Sequence, residues 1–250
     1  MCGIYLALSR KGPLSASPAL LELLQNRGPD RVNQVVYEVD SDDGTAPEKT
    51  AGVPSKVFIS GASSVLSLRG DATVEQPAIL SDDSRGHSRH PFLSWNGEAW
   101  TFAGAAIQGN DSKHVLDLLS HVSHAALSSK SRPHEEAIAE ALAFYSGPYA
   151  FAFYEPSLQR IYFGRDILGR RSLLFRTNGD GGFVLSSVAD VVDAGWTEVE
   201  ADGIYFVDLN LTDSTTTFRP AKVSYCYSND ETPITQRMVS IMRSAGSERD

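Results

Sequence analysis

Cys2 is the residue of this chain best suited to nucleophilic chemistry. If an aminopeptidase removes Met1, Cys2 carries a thiol and a free α-amine on adjacent atoms. An α-amine has a pKa of about 7.7–8.0, so it can accept the thiol proton near neutral pH and return a proton to a leaving amine. Such a residue needs no separate catalytic histidine. The alternative is that Cys2 is a small buried apolar residue at the start of a strand.

The composition limits what such a nucleophile could act on. The chain has 250 residues, of which 42% are hydrophobic and 21% charged, as in an ordinary globular protein. A formal net charge of −9 argues against nucleic acid as the main ligand. No apolar run approaches the roughly 20 residues that span a bilayer, and the first residues lack the basic start of a signal peptide. We expect neither a nucleic-acid partner nor a membrane partner.

Two cysteines, Cys2 and Cys226, are too few for a disulfide framework. They form no CxxC pair, and no Cys/His group has zinc-site spacing, so we expect no metal. We find no GxGxxG, P-loop or GxSxG motif, and we expect no cofactor. Free thiols indicate a reducing compartment, so the expected location is the cytoplasm.

Strands at both ends of the chain and helices in the middle must position Cys2. Ser17-Pro18 is typical of a helix start, and apolar periodicity predicts further helices from Asp111 and over 134–145. Short apolar or alternating runs predict strands at 3–8, 35–39, 56–60, 64–68, 92–95, 148–154, 159–164, 172–176, 182–187 and 203–209. This order favours antiparallel sheets with segregated helices, an α+β protein, over a βαβ arrangement.

Four segments, in order, resemble the glutaminase domain of asparagine synthetases, a class II glutamine amidotransferase. They are Met1-Cys2-Gly3-Ile4, Arg27-Gly28-Pro29-Asp30, Asn96-Gly97-Glu98 and Gly164-Arg165-Asp166 with Gly169. The stretches LSLRG (66–70), WNGE (95–98), FGRDILGRRSLL (163–174) and LSSV (185–188) are more similar to a divergent branch, the asparagine synthetase domain-containing proteins. The resemblance covers residues 2–210 and implies a four-layer αββα sandwich of the N-terminal-nucleophile hydrolase type.

The resemblance implies a catalytic role for three residues. Cys2 would attack the side-chain amide carbon of L-glutamine. The side-chain amide of Asn96 and the backbone N–H of Gly97 would stabilise the oxyanion, and both residue types suit that task. Taken alone, Asn96-Gly97 predicts a type I′ hairpin turn instead.

The resemblance also implies a pocket for the rest of the glutamine molecule. Asp111 matches the aspartate that holds the substrate ammonium, although it could equally be a helix N-cap. Glu98 lies in the same family glutamine pocket. Leu66, which continues the family pattern in the segment of Val65, is also implied as a substrate-binding residue.

One substrate-binding residue is missing. The family arginine that grips the substrate carboxylate lies eleven residues before a Gln-Pro pair, and counting back from Gln76-Pro77 gives Val65. Arg69 is the nearest substitute. On a strand it would lie on the same face as Val65 but about 13 Å away, unless a bulge or bend shortened the gap. The family turn also has proline where this chain has Ser172.

Asparagine synthetases continue into an ATP-pyrophosphatase domain with an SGGxDS loop. Residues 211–250 contain no such loop, and we interpret them as a polar extension or linker without a synthetase domain. Three hypotheses follow: a glutaminase serving asparagine synthesis, whose ammonia passes to a synthetase domain or chain; a catalytically degenerate glutaminase fold that acts as an interaction or regulatory module; and an amidase with an N-terminal cysteine and another substrate.

Overall fold

The computed structural model describes residues 1–40, 56–68, 73–80, 90–129, 132–190, 195–210 and 217–225. Fifteen strands and three helices lie in this part of the chain. The helices are α1 (Pro18–Arg27), α2 (Asp111–Ser129) and α3 (His134–Ala143). None of these helices is both long enough and apolar enough to cross a bilayer.

Two six-stranded sheets form the centre of the fold, and every pairing within them is antiparallel. The first sheet, in chain order, contains β1 (Gly3–Ser9), β2 (Arg31–Asp40), β3 (Lys56–Val65), β11 (Leu174–Thr177), β12 (Phe183–Ser186) and β13 (Thr197–Glu198). The second contains β4 (Ala78–Ile79), β5 (Phe92–Gly97), β9 (Tyr149–Glu155), β10 (Arg160–Arg165), β14 (Gly203–Asp208) and β15 (Ala221–Ser224). A small third sheet joins β6 (Thr101–Phe102), β7 (Ala105–Ala106) and β8 (Tyr145–Ser146). The spatial orders are β13-β11-β12-β1-β3-β2 and β15-β14-β10-β9-β5-β4.

Alternation along the strands builds the layers. On β1, Ile4, Leu6 and Leu8 belong to the core between the two sheets, whereas Tyr5 and Ala7 belong to the core under α1. The second sheet does the same, because Ala150 and Ala152 of β9 face the first sheet, whereas Tyr149, Phe151 and Phe153 pack in the core with α2 and α3. The result is a helix, sheet, sheet, helix order, which confirms the predicted four-layer αββα sandwich.

Local signals explain where α1 lies. Ser17 caps it, its Oγ accepting the Leu20 N–H at 3.1 Å, and Pro18 occupies the first turn. The helix ends at Gly28 and buries Leu20 and Leu24 against the first sheet.

Two predictions from the sequence need correction. The runs 56–60 and 64–68 are not separate strands, since Lys56–Val65 is one strand and 66–68 lie outside it. β3 ends at Val65, and Arg69, which the sequence placed on the same strand face as Val65, lies outside the described residues. The second sheet also takes in Ala221–Ser224, beyond the proposed boundary at residue 210.

Candidate active site

A cavity opens at the end of the two sheets where β1 begins and where β3 and β5 end. It lies beside the first turn of α2. Its lining residues are Met1, Cys2, Val65, Leu66, Ser67, Leu68, Val74, Gln76, Trp95, Asn96, Gly97, Glu98, Asn110, Asp111, Ser112 and Arg171. Six of the seven residues predicted for the site are among them.

Cys2 lies at the inner wall of this cavity. Its side chain is buried, with the Sγ atom 3.8 Å from the carbonyl oxygen of Leu66. Burial raises the pKa of the thiol above its usual value. The thiol is therefore protonated near neutral pH, and any nucleophilic role requires a base that takes the proton.

Asn96 is completely buried, yet neither atom of its side-chain amide has a hydrogen-bond partner among the described residues. Buried polar groups are almost always paired, and an unpaired one costs about 1–3 kcal/mol. Its neighbour on the same strand face, Ser94, does bond to Ser63 at 2.8 Å. A buried, unpaired amide in a cavity wall is a donor and acceptor prepared for something that enters the cavity.

Backbone geometry directs the N–H of Gly97 away from β9. N–H groups alternate across a strand. The N–H of Trp95 donates to Gln76 Oε1 at 2.7 Å, on the side away from β9, and the N–H of Glu98 donates to Pro148 O at 2.9 Å on the β9 side. The Gly97 N–H therefore points away from β9, at an edge where β4 has already ended. Asn96-Gly97 closes a strand, so the hairpin-turn alternative is wrong.

Glycine is required at position 97 for a reason that sequence reasoning missed. A Cβ there would lie 2.7 Å from Tyr149 Cβ and 2.8 Å from Pro148 O. The missing side chain lets β9 come close to this end of β5.

Asp111 also lines the cavity and is held there by two hydrogen bonds. Its Oδ2 accepts the indole N–H of Trp95 at 3.0 Å and the backbone N–H of Ala99 at 2.8 Å. It is the first residue of α2 and not its cap. Asn110 has the capping geometry instead, because its Oδ1 accepts the Lys113 N–H at 3.3 Å. Asp111 is thus held in the cavity wall as a buried carboxylate.

The Arg27-Gly28-Pro29-Asp30 motif secures the loop that follows β3. Asp30 N donates to Val65 O at 3.0 Å, and the Asp30 carboxylate accepts the N–H of Ser67 at 2.7 Å. A Cβ on Gly28 would lie 2.6 Å from the backbone nitrogen of Val65. Glycine is therefore what allows the motif to pack directly on the strand end that lines the cavity.

We expect Gly28→Ala to lower the free energy of unfolding by about 1–3 kcal/mol, because the added methyl group overlaps backbone atoms that cannot move independently. Thermal or urea unfolding measures this. Gly179→Ala is the matched control, since a Cβ there meets nothing within 4 Å. Equal stability of the two variants would show that the strand end can shift at no cost.

The turn after β10 is rigid and presents Arg171 to the cavity. The Asp166 carboxylate accepts the backbone N–H groups of Tyr149 and Arg170 at 3.0 and 3.1 Å. Gly169 has a φ of 61°, a left-handed conformation that glycine adopts without strain. Arg165 Nε donates to the Arg171 carbonyl at 2.7 Å and fixes its backbone.

Ser172, which stands where the family has proline, has a specific contact. Its Oγ donates to Ser187 O at 2.7 Å and accepts from Arg27 Nη1 at 3.0 Å. Arg27 Nη1 also reaches Ser187 O at 3.0 Å. The serine therefore links the Arg27 guanidinium to Ser187, the residue directly after β12.

The structure brings most of the predicted site residues together. Cys2, Leu66, Asn96, Gly97, Glu98 and Asp111 line the cavity, while Arg69 lies outside the described residues. Val65, at the position of the missing arginine, is 4% exposed and supplies only an apolar wall. Sequence reasoning missed Trp95, Gln76 and Arg171 as lining residues, although Arg171 belongs to a matched motif.

No family model matches this chain. It is 33% identical over 216 residues to the asparagine synthetase domain-containing protein 1 of Bos taurus and 31% identical over 217 residues to that of Mus musculus. Both matches cover 84% of this chain. The chain spans 29% of the length of these relatives.

Solved structures share the fold at low sequence identity. One, an allosteric regulatory enzyme of purine biosynthesis, superposes with a TM-score of 0.56 and 16% identity over 88% of this chain and 48% of its own. The second is the glutamine phosphoribosylpyrophosphate amidotransferase of B. subtilis, with a TM-score of 0.53 and 16% identity over 88% of this chain and 49% of its own. At this identity the likeness concerns the fold alone.

Proposed function

Since the chain is related to the asparagine synthetase domain-containing proteins and has the class II glutamine amidotransferase fold, we propose that it hydrolyses L-glutamine to glutamate and ammonia. The observation that carries this proposal is Asn96. A fully buried amide with no described partner shares a cavity wall with a buried cysteine. An amidase needs such a preorganised donor beside its nucleophile, whereas a purely structural fold gains nothing from it.

In the proposed reaction, removal of Met1 frees the α-amine of Cys2. The amine takes the thiol proton, the sulfur bonds to the side-chain amide carbon of glutamine, and the carbonyl electrons move onto oxygen. The Asn96 amide and the Gly97 N–H stabilise that oxyanion. Collapse breaks the C–N bond, the ammonium returns its proton to the leaving nitrogen, and ammonia departs. Water then attacks the thioester, which releases glutamate and restores the thiol.

The acidic side of the cavity suits the substrate ammonium. Asp111 and Glu98 both line it, and Asp111 is held rigidly by its bonds to Trp95 and Ala99. Leu66 places its carbonyl beside the thiol. We assign Asp111 and Glu98 to the substrate ammonium and Leu66 to the wall along the glutamine side chain.

In the direct test, purified protein without Met1 is incubated with L-glutamine, and the release of glutamate and ammonia is measured. The glutamine analogue 6-diazo-5-oxo-L-norleucine is expected to alkylate Cys2, which peptide mass spectrometry locates. A protein that forms neither glutamate nor this adduct supports the alternative of a degenerate fold used as an interaction or regulatory module, for which Val65 is the favouring observation. Hydrolysis of other amides with glutamine untouched would indicate the third hypothesis.

We predict that intact-mass measurement finds the chain without Met1. Only then is the nitrogen of Cys2 an amine; with Met1 present it is a peptide nitrogen that cannot act as a base. The control is Cys2→Leu, whose larger side chain hinders methionine removal. A wild-type protein that retains Met1 and still hydrolyses glutamine would contradict the mechanism.

The ammonia produced would serve asparagine synthesis through a synthetase domain or chain, which we propose as the partner. The free thiol that the mechanism needs is stable in a reducing compartment, and the cytoplasm is the location that we propose.

A further inference from the structure

The cavity lacks a cation at the position where the family resemblance implies one. Val65 occupies that position, and its side chain is aliphatic and buried. A glutamine held by its amide and its ammonium alone would leave its carboxylate in the cavity without a partner. The inference below rests on the proposed function and concerns the group that binds this carboxylate.

Among the described residues that line the cavity, Arg171 is the only basic side chain. Its Nη1 lies 3.5 Å from the Sδ atom of Met1, and its Nε is buried with no described partner. Thioether sulfur is a weak hydrogen-bond acceptor, so this contact leaves the guanidinium poorly satisfied. Its fork of N–H donors fits a carboxylate far better.

Arg27 approaches the same sulfur but is already engaged. Its Nη2 lies 3.7 Å from Met1 Sδ, while its Nη1 is bound to Ser172 and Ser187. Among the described residues, Arg171 is held by the bond from Arg165 to its backbone carbonyl, and its guanidinium contacts no acceptor stronger than the Met1 sulfur. Two guanidinium groups thus converge on the place where the Met1 side chain lies.

We propose that Arg171 binds the α-carboxylate of glutamine in the space that the Met1 side chain leaves on removal. This space adjoins Cys2, because Met1 is its covalent neighbour, and the two ends of a glutamine molecule are separated by a short chain. Arg171, Glu98 and Asp111 all line this cavity, so the carboxylate and the ammonium of glutamine each meet a group of opposite charge. The guanidinium of Arg27, which also approaches Met1 Sδ, adds positive potential at this place. Arg171 thereby takes the role of the family arginine whose position Val65 occupies.

The test compares L-glutamine with 4-aminobutanamide, which has the same amide and amine but no carboxylate. Arg171→Gln is expected to raise KM for glutamine ten- to a hundredfold with little change in kcat, since a charge-assisted contact is lost. Kinetics with 4-aminobutanamide should stay as in the parent. Arg171→Lys should recover part of the affinity, because it keeps the charge without the planar fork. Arg132→Gln, which removes an arginine paired with Glu140 away from the cavity, is the matched control.

Calorimetric titration of glutamine into a Cys2→Ala background keeps binding separate from turnover. If the parent protein binds glutamine but does not hydrolyse it, the proposed function is contradicted. The role of Arg171 is still tested in that case, by the effect of Arg171→Gln on glutamine affinity. The inference is overturned if Arg171→Gln leaves glutamine affinity unchanged, if it slows both substrates equally, or if Arg69→Gln alone removes the preference for glutamine. A parent that neither binds nor hydrolyses glutamine overturns both proposals.

Discussion

Replacing Cys2 with alanine is expected to abolish glutamine hydrolysis, with a loss in kcat on the order of 10⁶-fold, as when the nucleophile of a covalent mechanism is removed. No other described side chain offers a thiol. Asn96 and Gly97 can stabilise an oxyanion but cannot form a thioester. Steady-state release of glutamate and ammonia measures the effect.

Stability should change little in the same variant. Cys2 lies at a cavity wall, and the one hydrogen bond of its sulfur among the described residues, to Leu66 O, is long at 3.8 Å, so truncation should cost no more than about 1 kcal/mol. Cys226→Ala is the control for the loss of a thiol in general and should retain full activity. If Cys2→Ala hydrolysed glutamine as fast as the parent, the covalent mechanism would be wrong.

Asn96→Ala should lower kcat by about 10²–10³-fold, the usual cost of removing one oxyanion donor. Because both amide atoms are buried without a described partner, the fold loses no hydrogen bond, and the unfolding temperature should stay the same or rise. This combination of lost turnover and kept stability is the signature of a donor that the fold reserves for catalysis.

Ser94→Ala is the matched control for Asn96. Ser94 lies two residues earlier on the same strand face, but its hydroxyl is paired with Ser63. Its removal should cost about 1 kcal/mol of stability and leave turnover intact, the reverse pattern. Should Asn96→Ala abolish glutamine binding while kcat is kept, Asn96 would be a substrate ligand instead of an oxyanion donor.

Much of the architecture could be predicted because it depends on local patterns. Ser17-Pro18 marks the start of α1, and alternation along β1 and β9 separates the two faces of each sheet. The boundary at Val65 could not be predicted in this way. Residues 64–68 look like one strand-forming run, but β3 ends at Val65, where its partner β2 begins and where Asp30, from a motif far away in the chain, accepts the N–H of Ser67.

The candidate site, too, could be predicted from the sequence only in part. The resemblance pointed to Cys2, Asn96 and Asp111, but the chain pattern alone was equally compatible with a turn at Asn96 and a cap at Asp111. Only the folded structure decides between these alternatives. Asn96 lies in a strand because β5 pairs with β9, and Asp111 lies in the cavity wall because its carboxylate binds the indole of Trp95. Arg171 could not be predicted as a lining residue, because only the fold brings its guanidinium beside Met1, 170 residues away in the chain.

The contact of Met1 with two guanidinium groups has a consequence for how the protein is prepared. A chain that keeps its first residue is folded but has its own side chain in the carboxylate space. Specific activity is then proportional to the fraction of chains that have lost Met1, so it varies with how completely the expression host removes this residue. A purification tag placed ahead of Met1 would give a stable but inactive protein, so tags belong at the carboxyl end.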